Sequence, residues 1–317
     1  MIEDLICEFA KKNNLIYGIC DAQKISNIIL PNAPFVNYSA KQRINPKLIM
    51  KNAKSIIVIG CGYNKKISFK TDNLIRGNFS MSCVGEDYHI TLKKLLEKLA
   101  RQINIQFEYK IFVDTGPLNE RLLAFKAGLG FIGMNHCIIS QKFGSMFFIG
   151  YMITDLNLKH TAIKKTETNI CSDCKKCVEN CPGHALSENG FDYRKCVSYL
   201  TQKNEKLLPH EIKIMGKQLY GCDVCQIVCP YNKIYIGEIN DINEKMPLIE
   251  YILTMSNKKL KEKYKNTAFI WRSNLLKRNA IIALKNSGKI KEVMENPMLK
   301  EIIEEQMKKW DIGIAEA

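Results

Sequence analysis

The chain has 317 residues and no apolar run long enough to cross a bilayer, for which about 20 consecutive apolar residues are needed. A helical membrane protein is thereby excluded. No secretory signal peptide is recognised, so a reducing cytoplasmic setting is expected and a disulfide framework is not. Low-complexity tracts are missing too, which sets aside a repetitive or biased scaffold. Acidic residues are few: 32 Asp and Glu against 47 Lys and Arg leave a formal net charge of +15. That excess points to a polyanionic partner, nucleic acid first. A Lys-rich surface that is merely solvated gives the same count, so charge alone does not separate the two. With 46% apolar residues the chain can build a packed core, and its length suits two or three domains.

Cysteine, by contrast, is abundant at 13 residues, and eight of these fall between Cys171 and Pro230. The first run reads Cys171-Ser-Asp-Cys174-Lys-Lys-Cys177-Val-Glu-Asn-Cys181-Pro182. The second reads Cys222-Asp-Val-Cys225-Gln-Ile-Val-Cys229-Pro230, and Cys196 lies between them. The first run has the C-x2-C-x2-C-x3-C-P spacing of bacterial ferredoxins, whose thiolates hold 4Fe–4S clusters. Three closely spaced thiolates wrap one cubane, and the chain then turns away at the proline. In two-cluster ferredoxins the fourth cysteine of a run ligates the other cluster. Crossing the fourth ligands assigns Cys171, Cys174, Cys177 and Cys229 to one cluster. Cys181, Cys196, Cys222 and Cys225 remain for the other. Zinc knuckles also use C-x2-C pairs, but a zinc site takes four ligands. Eight cysteines in two runs, each ending in Cys-Pro, suit two cubanes better. Two clusters imply one-electron transfer without saying to what.

Periodicity organises the rest. Residues 1–20 read as a helix with Leu5, Ile6 and Phe9 on one face, followed by an extended apolar stretch from Leu15 to Cys20. The Pro- and Asn-rich segment 32–46 reads as a loop. Ser55 to Gly60 is a short β-branched run, the pattern of a strand buried on both faces. Residues 64–80 are polar and predict a surface loop. Tyr88 to Ile103 predicts a helix with a Leu92, Leu95, Leu96 and Leu99 stripe. Ile111 to Asp114 predicts a buried strand ending in a carboxylate, and Asn119 to Lys126 a helix stopped by Gly128. Gly128-Leu-Gly130-Phe-Ile-Gly133 matches a dinucleotide fingerprint only in letters, because it follows a helix rather than a strand. Its glycines equally suit close backbone approach to another flat ligand. Ser145 to Thr154 predicts a further strand. Alternating strands and helices make residues 1–165 an α/β domain. Residues 159–168 read as a linker, 166–237 as a ferredoxin-like two-cluster domain, and 238–317 as a helical, repeat-like region. The helices of that region are expected at 248–260, 274–285 and 298–309. The fold class is therefore an α+β multidomain protein.

Specific strings now carry a resemblance. Phe112-Val-Asp114-Thr-Gly-Pro-Leu-Asn-Glu120-Arg121 and Ala127-Gly-Leu-Gly-Phe-Ile-Gly133-Met-Asn135 resemble the epoxyqueuosine reductase family. So do Gly85-Glu-Asp-Tyr88-His89, Arg194-Lys-Cys196-Val-Ser198-Tyr-Leu-Thr201 and Leu219-Tyr-Gly-Cys222 through to Asn232. Arg278-Asn279, with Ala283-Leu284 and Asn286, resembles the family's C-terminal helical region. The resemblance spans most of the chain and is more specific than the ferredoxin spacing. It implies a cobalamin-dependent enzyme with two 4Fe–4S clusters that reduces epoxyqueuosine to queuosine at the wobble position of tRNA. The implied fold is an α/β cobalamin-binding domain, a ferredoxin-like domain and a HEAT-like helical region that contacts tRNA. The family's catalytic acid matches Asp114. Its cobalamin-contacting positions match Arg43, Asp114, Asn135, Ile138, Ile149 and Ser198. An external one-electron donor of flavodoxin or ferredoxin type and a monomeric state are expected.

The chemistry agrees with these residues. Converting an epoxide to an alkene takes two electrons and removes oxygen as water, so the departing alkoxide needs a proton donor. Burial against an apolar corrin is expected to raise the Asp114 pKa. Asp before Thr-Gly-Pro also makes a good turn-starter, which is the structural alternative for Asp114. This chain departs from the family where members carry Arg in place of Glu86, and Lys-Asn-Thr in place of Met134-Asn135-His136. It also has Pro182-Gly183-His184 where members read Pro-Thr-Gly. His136 reads either as a lower cobalt ligand or, as lone histidines commonly do, as a hydrogen-bonded structural residue. Tyr88 and His89 could face the pocket or pack against the strand edge. Cys7, Cys20, Cys61, Cys83 and Cys137 read as small buried hydrophobes. Trp271-Arg272 with Lys277 and Arg278 forms an aromatic–basic cluster that could meet RNA, or a core Trp with a solvated basic edge. Two other function classes compete: a cobalamin-dependent reductase of a small molecule, akin to reductive dehalogenases, and a plain electron-transfer protein.

Overall fold

The structure, a computed structural model, describes residues 1–25, 36–161, 169–269 and 273–313. By contacts the chain divides into two units, one of Met1–Tyr63 and Tyr88–Asp173, the other of Asn64–Asp87 and Cys174–Ala317. In chain order the elements of the first half are α1 (Ile2–Lys12), β1 (Ile16–Asp21), α2 (Ala40–Ile44) and β2 (Ser55–Gly62). Then come β3 (Lys66–Ile67), β4 (Asn78–Phe79), α3 (Tyr88–Ile103), β5 (Tyr109–Val113) and α4 (Glu120–Lys126). The hairpin strands β6 (Phe131–Ile132) and β7 (Ile138–Ile139) precede β8 (Phe147–Thr154).

The first unit is built on a four-stranded sheet of order β1-β2-β8-β5. The side-chain period of two divides β2 between two cores. Ile57 and Ile59 join Ile6 and Phe9 of α1 and Leu92, Leu96 and Leu99 of α3. Ile56 and Val58 join Leu123 and Ala124 of α4 and Tyr151 of β8 on the other side. Helices on both faces explain why β2 reads as a continuous apolar run. The α/β expectation named no strand direction, and every pairing in this sheet is antiparallel. A sheet sandwiched between helical layers gives the same hydrophobic signature in either direction, so periodicity could not tell them apart.

The glycine-rich loop leads from α4 into the β6–β7 hairpin, not into a helix. A Cβ on Gly130 would lie 2.1 Å from the Ile139 carbonyl oxygen, so the hairpin closes only because that position lacks a side chain. The close approach is to the chain's own backbone, and the dinucleotide reading is excluded.

In the second unit the surface-loop expectation for 64–80 holds over the exposed, irregular residues 70–74 and is corrected at the paired strands β3 and β4 and at the buried Arg76. β3 pairs with the strand Glu238–Ile239 and β4 with the strand Gln218–Tyr220. Phe79 is buried, and Arg76 is held by Asp72, Asn243 and the Met246 carbonyl. These polar residues are satisfied by distant partners, which no local pattern announces. One apolar core joins Leu200, Leu219, Ile252, Ile281, Leu284 and Ile303. The expected helix 248–260 is broken at Met255 and Ser256 into Ile249–Thr254 and Asn257–Lys263, with Ser256 capping the second through the Lys259 amide. The other two helices run Ser273–Asn286 and Pro297–Trp310, close to expectation.

Arg278 is buried at 1% exposure. Its guanidinium donates to the carbonyls of Leu200, Thr201, Lys203 and Glu205, and Asn279 donates to those of Thr201 and Leu219. The expected RNA-facing role is therefore corrected for Arg278: this cation ties the helix Ser273–Asn286 to the segment just after Cys196. Trp271 and Arg272 lie outside the described residues, as do most of the expected linker residues.

Candidate active site and cluster scaffold

Asp114 follows the last residue of β5 and adopts φ +56. That left-handed conformation suits Asp and Asn better than other non-glycine residues. The loop it begins is pinned from below. A Cβ on Gly116 would lie 2.3 Å from the Tyr151 hydroxyl, and the Leu118 amide donates to that hydroxyl at 3.1 Å. The Asn119 amide donates to the Arg43 carbonyl at 3.2 Å, and the Asn119 side chain caps α4 through the Leu122 amide. The expected contacts Arg43 and Asp114 are thus joined through one short loop. Ile138 and Ile149 pack into the same apolar cluster as Leu118 and Tyr151.

His89, on the first turn of α3, places Nε2 3.3 Å from Asp114 Oδ2. Tyr88 stacks on Phe148 with ring centroids 4.0 Å apart, which fixes that first turn against the sheet. His89 thus faces Asp114, and Tyr88 does both things at once, packing on a strand residue and hydrogen-bonding Asp114. The Asp114 side chain is 55% accessible. Its surroundings desolvate the carboxyl enough to push its pKa up. The hydrogen bond and charge of His89, a Tyr88 hydrogen bond and the Arg121 charge outweigh that push and hold it below the ordinary aspartate range. The expected rise in the Asp114 pKa is not found among this chain's own groups.

The raised carboxyl is Glu120, six residues on. Burial and the Asp114 charge push it up to about 8, against the Asp114 amide, Arg121 and His89. Its Oε1 is buried without a hydrogen-bond partner among the described residues. Sequence reasoning quoted Glu120 and Arg121 only as part of a motif. The signal was a second carboxylate one short loop beyond the first.

Asn135 and His136 occupy the β6–β7 turn. Asn135 is buried and its Oδ1 accepts from the Cys137 amide at 3.1 Å, whereas its Nδ2 is buried without a partner among the described residues. His136 adopts φ +57, and burial together with the Arg121 charge lowers its pKa, which favours the neutral imidazole. Ser198 lies in the second unit on the helix Val197–Gln202, where its carbonyl accepts from Thr201 and Gln202 side chains.

In the second unit Cys177, Cys181, Cys196 and Cys225 converge on Ala185 and Leu186. The Ala185 amide donates to Cys181 Sγ at 3.3 Å. Burial pushes the Cys222 thiol up to about 11; the Val224 amide opposes this, while Cys196, Asp223 and Cys181 add to it. Cys222 thus lies within the electrostatic reach of Cys181 and Cys196. Cys171 and Cys174 lie on the short helix Asn169–Cys174. Among the described residues no three His, Cys, Asp or Glu side chains converge closely enough for a single metal ion. Beside Cys222, Asp223 accepts from Ser80 Oγ, the Met81 amide and Lys245 Nζ, all within the second unit. Cys20 and Cys83 are buried, and burial pushes both thiols up to about 12, as inert core cysteines require.

Comparison with known proteins follows the same two regions. A family model described as "Epoxyqueuosine reductase QueG, DUF1730" matches residues 43–115, and a "4Fe-4S double cluster binding domain" matches 170–232. Epoxyqueuosine reductase of Lactococcus garvieae is 35% identical over 89% of this chain and 82% of its own length. That of Bacillus cereus is 38% identical over 77% of this chain and 67% of its own. The solved epoxyqueuosine reductase of Streptococcus thermophilus superposes with a TM-score of 0.85 at 31% identity, covering 96% of this chain and 89% of that one. An epoxyqueuosine reductase crystallised with an epoxyqueuosine-modified tRNA-Tyr stem loop gives a TM-score of 0.83 at 28% identity, covering 97% and 89%. No described helix is long and apolar enough to cross a membrane. On the identity and coverage of these relatives, the chain belongs to the epoxyqueuosine reductase family.

Proposed function

We propose that this chain reduces epoxyqueuosine to queuosine at the wobble position of tRNA, with Asp114 donating the proton that the opening epoxide oxygen takes up. The observation that carries the role of Asp114 is its placement. It is an accessible carboxyl on a loop pinned by Tyr151 and by the Arg43 carbonyl, with His89 3.3 Å away. Epoxide reduction to the alkene consumes two electrons and two protons and releases water. Two 4Fe–4S clusters, held by the crossed sets Cys171, Cys174, Cys177, Cys229 and Cys181, Cys196, Cys222, Cys225, suit delivery of electrons one at a time.

The residues present fit a corrin. The buried Asn135 Nδ2, a donor without a partner among the described residues, is one that a polar group of cobalamin would satisfy, and Arg43, Ile138, Ile149 and Ser198 would complete the contacts. Bound cobalamin supplies a strongly reducing, nucleophilic metal centre at the epoxide carbon. What this chain itself does is hold the donor carboxyl in place and offer its proton. The cluster scaffold is fed by an external one-electron donor, and the protein acts as a cytoplasmic monomer.

The test is anaerobic turnover of an epoxyqueuosine stem loop by reconstituted protein, with mass analysis of the nucleoside. Queuosine should form. Asp114→Asn keeps the left-handed backbone and removes the transferable proton. Turnover should then fall by ~10²-fold or more, the scale of a lost general acid, while stem-loop and cobalamin affinities change little. A wild-type rate in that variant would leave Asp114 as a turn residue. Binding of the stem loop should weaken steeply with salt, and salt-insensitive or absent binding would favour a small-molecule reductase.

A further inference from the structure

Asp114 holds one proton at a time, whereas the reaction proposed above consumes two. The oxygen leaves two carbon atoms as water, one C=C bond forms, two electrons come from the external donor through the clusters, and two protons join the oxygen. A site with one acid must therefore refill it before the oxygen departs as water. The structure places a second carboxyl where it can do this. Glu120 opens α4 at the end of the same pinned loop, with Oε1 buried and unpartnered among the described residues. No salt bridge to Glu120 is found among the described residues. The groups that face it are Asp114, His89 and Arg121, with Tyr151 from β8. Of the other elements against α4, the β6–β7 turn brings His136 and Cys137, both within the field of Arg121. β1 brings Asp21, which pairs with Lys126 at the far end of the helix.

We propose that Glu120 is a positioning residue that acts through Asp114. It stores a proton beside the spent Asp114 carboxylate and returns it, so that both protons of one turnover pass through Asp114. In that transfer the Glu120 O–H bond breaks, the Asp114 O–H bond forms, and Glu120 is left as a carboxylate that solvent reprotonates between turnovers. The Asp114 pKa is lowered and that of Glu120 raised, so this transfer by itself runs uphill, and it is drawn forward by the substrate oxygen taking the Asp114 proton on. The raised Glu120 pKa of about 8 keeps the store filled through neutral pH.

This inference rests on the reading of Asp114 as donor, and the experiment separates the two. The infrared spectrum of the protein without cobalamin should show a protonated carboxyl band that titrates at about pH 8 and is missing in Glu120→Gln. In single-turnover assays of the fully loaded protein, the rate should hold up to about pH 8 in wild type and begin to fall at lower pH in Glu120→Gln. The loss at pH 7.5 should be about tenfold, at the low side of a lost acid–base group, with stem-loop KM and iron content unchanged. Glu120→Asp, which keeps a transferable proton, should restore part of the plateau. A variant slowed equally at every pH, or one with the wild-type profile, would overturn the store. So would a Glu120→Gln protein that retains the titrating band. Absence of wild-type turnover would overturn the donor reading and this one with it. Wild-type turnover with an unshifted limb would overturn Glu120 alone.

Discussion

Lys245 Nζ lies 3.0 Å from Asp223 Oδ2, and both side chains are about 5% exposed or less. Asp223 sits between Cys222 and Cys225, so this buried ion pair is a strut under the second cysteine run. Lys245 also donates to the Phe79 carbonyl, the Met81 amide donates to the same Asp223 Oδ2, and Ser80 Oγ donates to Oδ1 on the other side of the carboxylate. The segment 64–87 is thereby locked to the cluster motif within one unit.

Lys245→Met should remove one partner and leave the other buried. Breaking such a pair typically costs about 3–5 kcal/mol. The expected outcome is a lower unfolding midpoint and reduced iron retention, seen by calorimetry and iron analysis after anaerobic reconstitution. The double variant Lys245→Met, Asp223→Leu should recover part of the stability, because no charge is then left unpaired. Equal iron content and midpoint in the single variant would show that the pair contributes nothing there.

His89 should control the ionisation of Asp114. The folded-state pKa of Asp114 is depressed, so its share of stability is present above the unfolded value and is lost as pH falls through the folded one. In His89→Gln the imidazole charge and hydrogen bond are gone, and burial is left less opposed. Carboxyl-carbon NMR should find Asp114 titrating at higher pH in the variant than in wild type. An unchanged titration would mean that Tyr88 and Arg121 suffice.

Glu120 should carry the opposite pH signature. An acid with a raised folded pKa stabilises the fold at low pH, and that contribution declines from about pH 4.5 to about pH 8, where the unfolded chain has already lost its proton. The unfolding free energy of wild type, measured by denaturant titration, should therefore decline across that window by on the order of a few kcal/mol. Glu120→Gln should flatten the decline. Parallel curves for the two proteins would contradict the raised value.

Arg278 and the surface lysines should separate cleanly. Arg278→Met takes the arginine donor from the Leu200, Lys203 and Glu205 carbonyls, while Thr201 keeps Asn279, and should destabilise the second unit by a few kcal/mol, at about 1–3 kcal/mol per buried group left unsatisfied. The exposed lysines of Asn257–Lys263 behave differently. Lys263 lies 4.3 Å above the ring of the exposed Tyr251, and Lys258, Lys259 and Lys261 are also exposed. Replacing Lys258, Lys261 and Lys263 by Ala should leave the midpoint nearly unchanged and flatten the salt dependence of stem-loop binding by about one phosphate contact per effective lysine. Filter binding across a salt series measures the slope.

The cysteine spacing by itself determined that the chain is a two-cluster protein, because cubane ligation imposes short, fixed separations that survive any fold. The strings around Asp114 and Cys222 likewise determined the family. Short-range physics was legible as well: Tyr88–Ile103 and the α4 boundary at Asn119 follow from stripe and cap. Only the tertiary structure decided how charge is used. Arg278 reads as one more surface cation in a basic chain, and it becomes a core strut because four carbonyls surround it. Residues 66–67 and 78–79 read as loop and become strands because their partners lie about 140 to 170 positions away. Burial was expected to raise Asp114 and instead raises Glu120, since a pKa depends on which groups the fold brings within a few ångströms. Local sequence encodes spacing and period, whereas the electrostatic role of a side chain is a property of its neighbours in space.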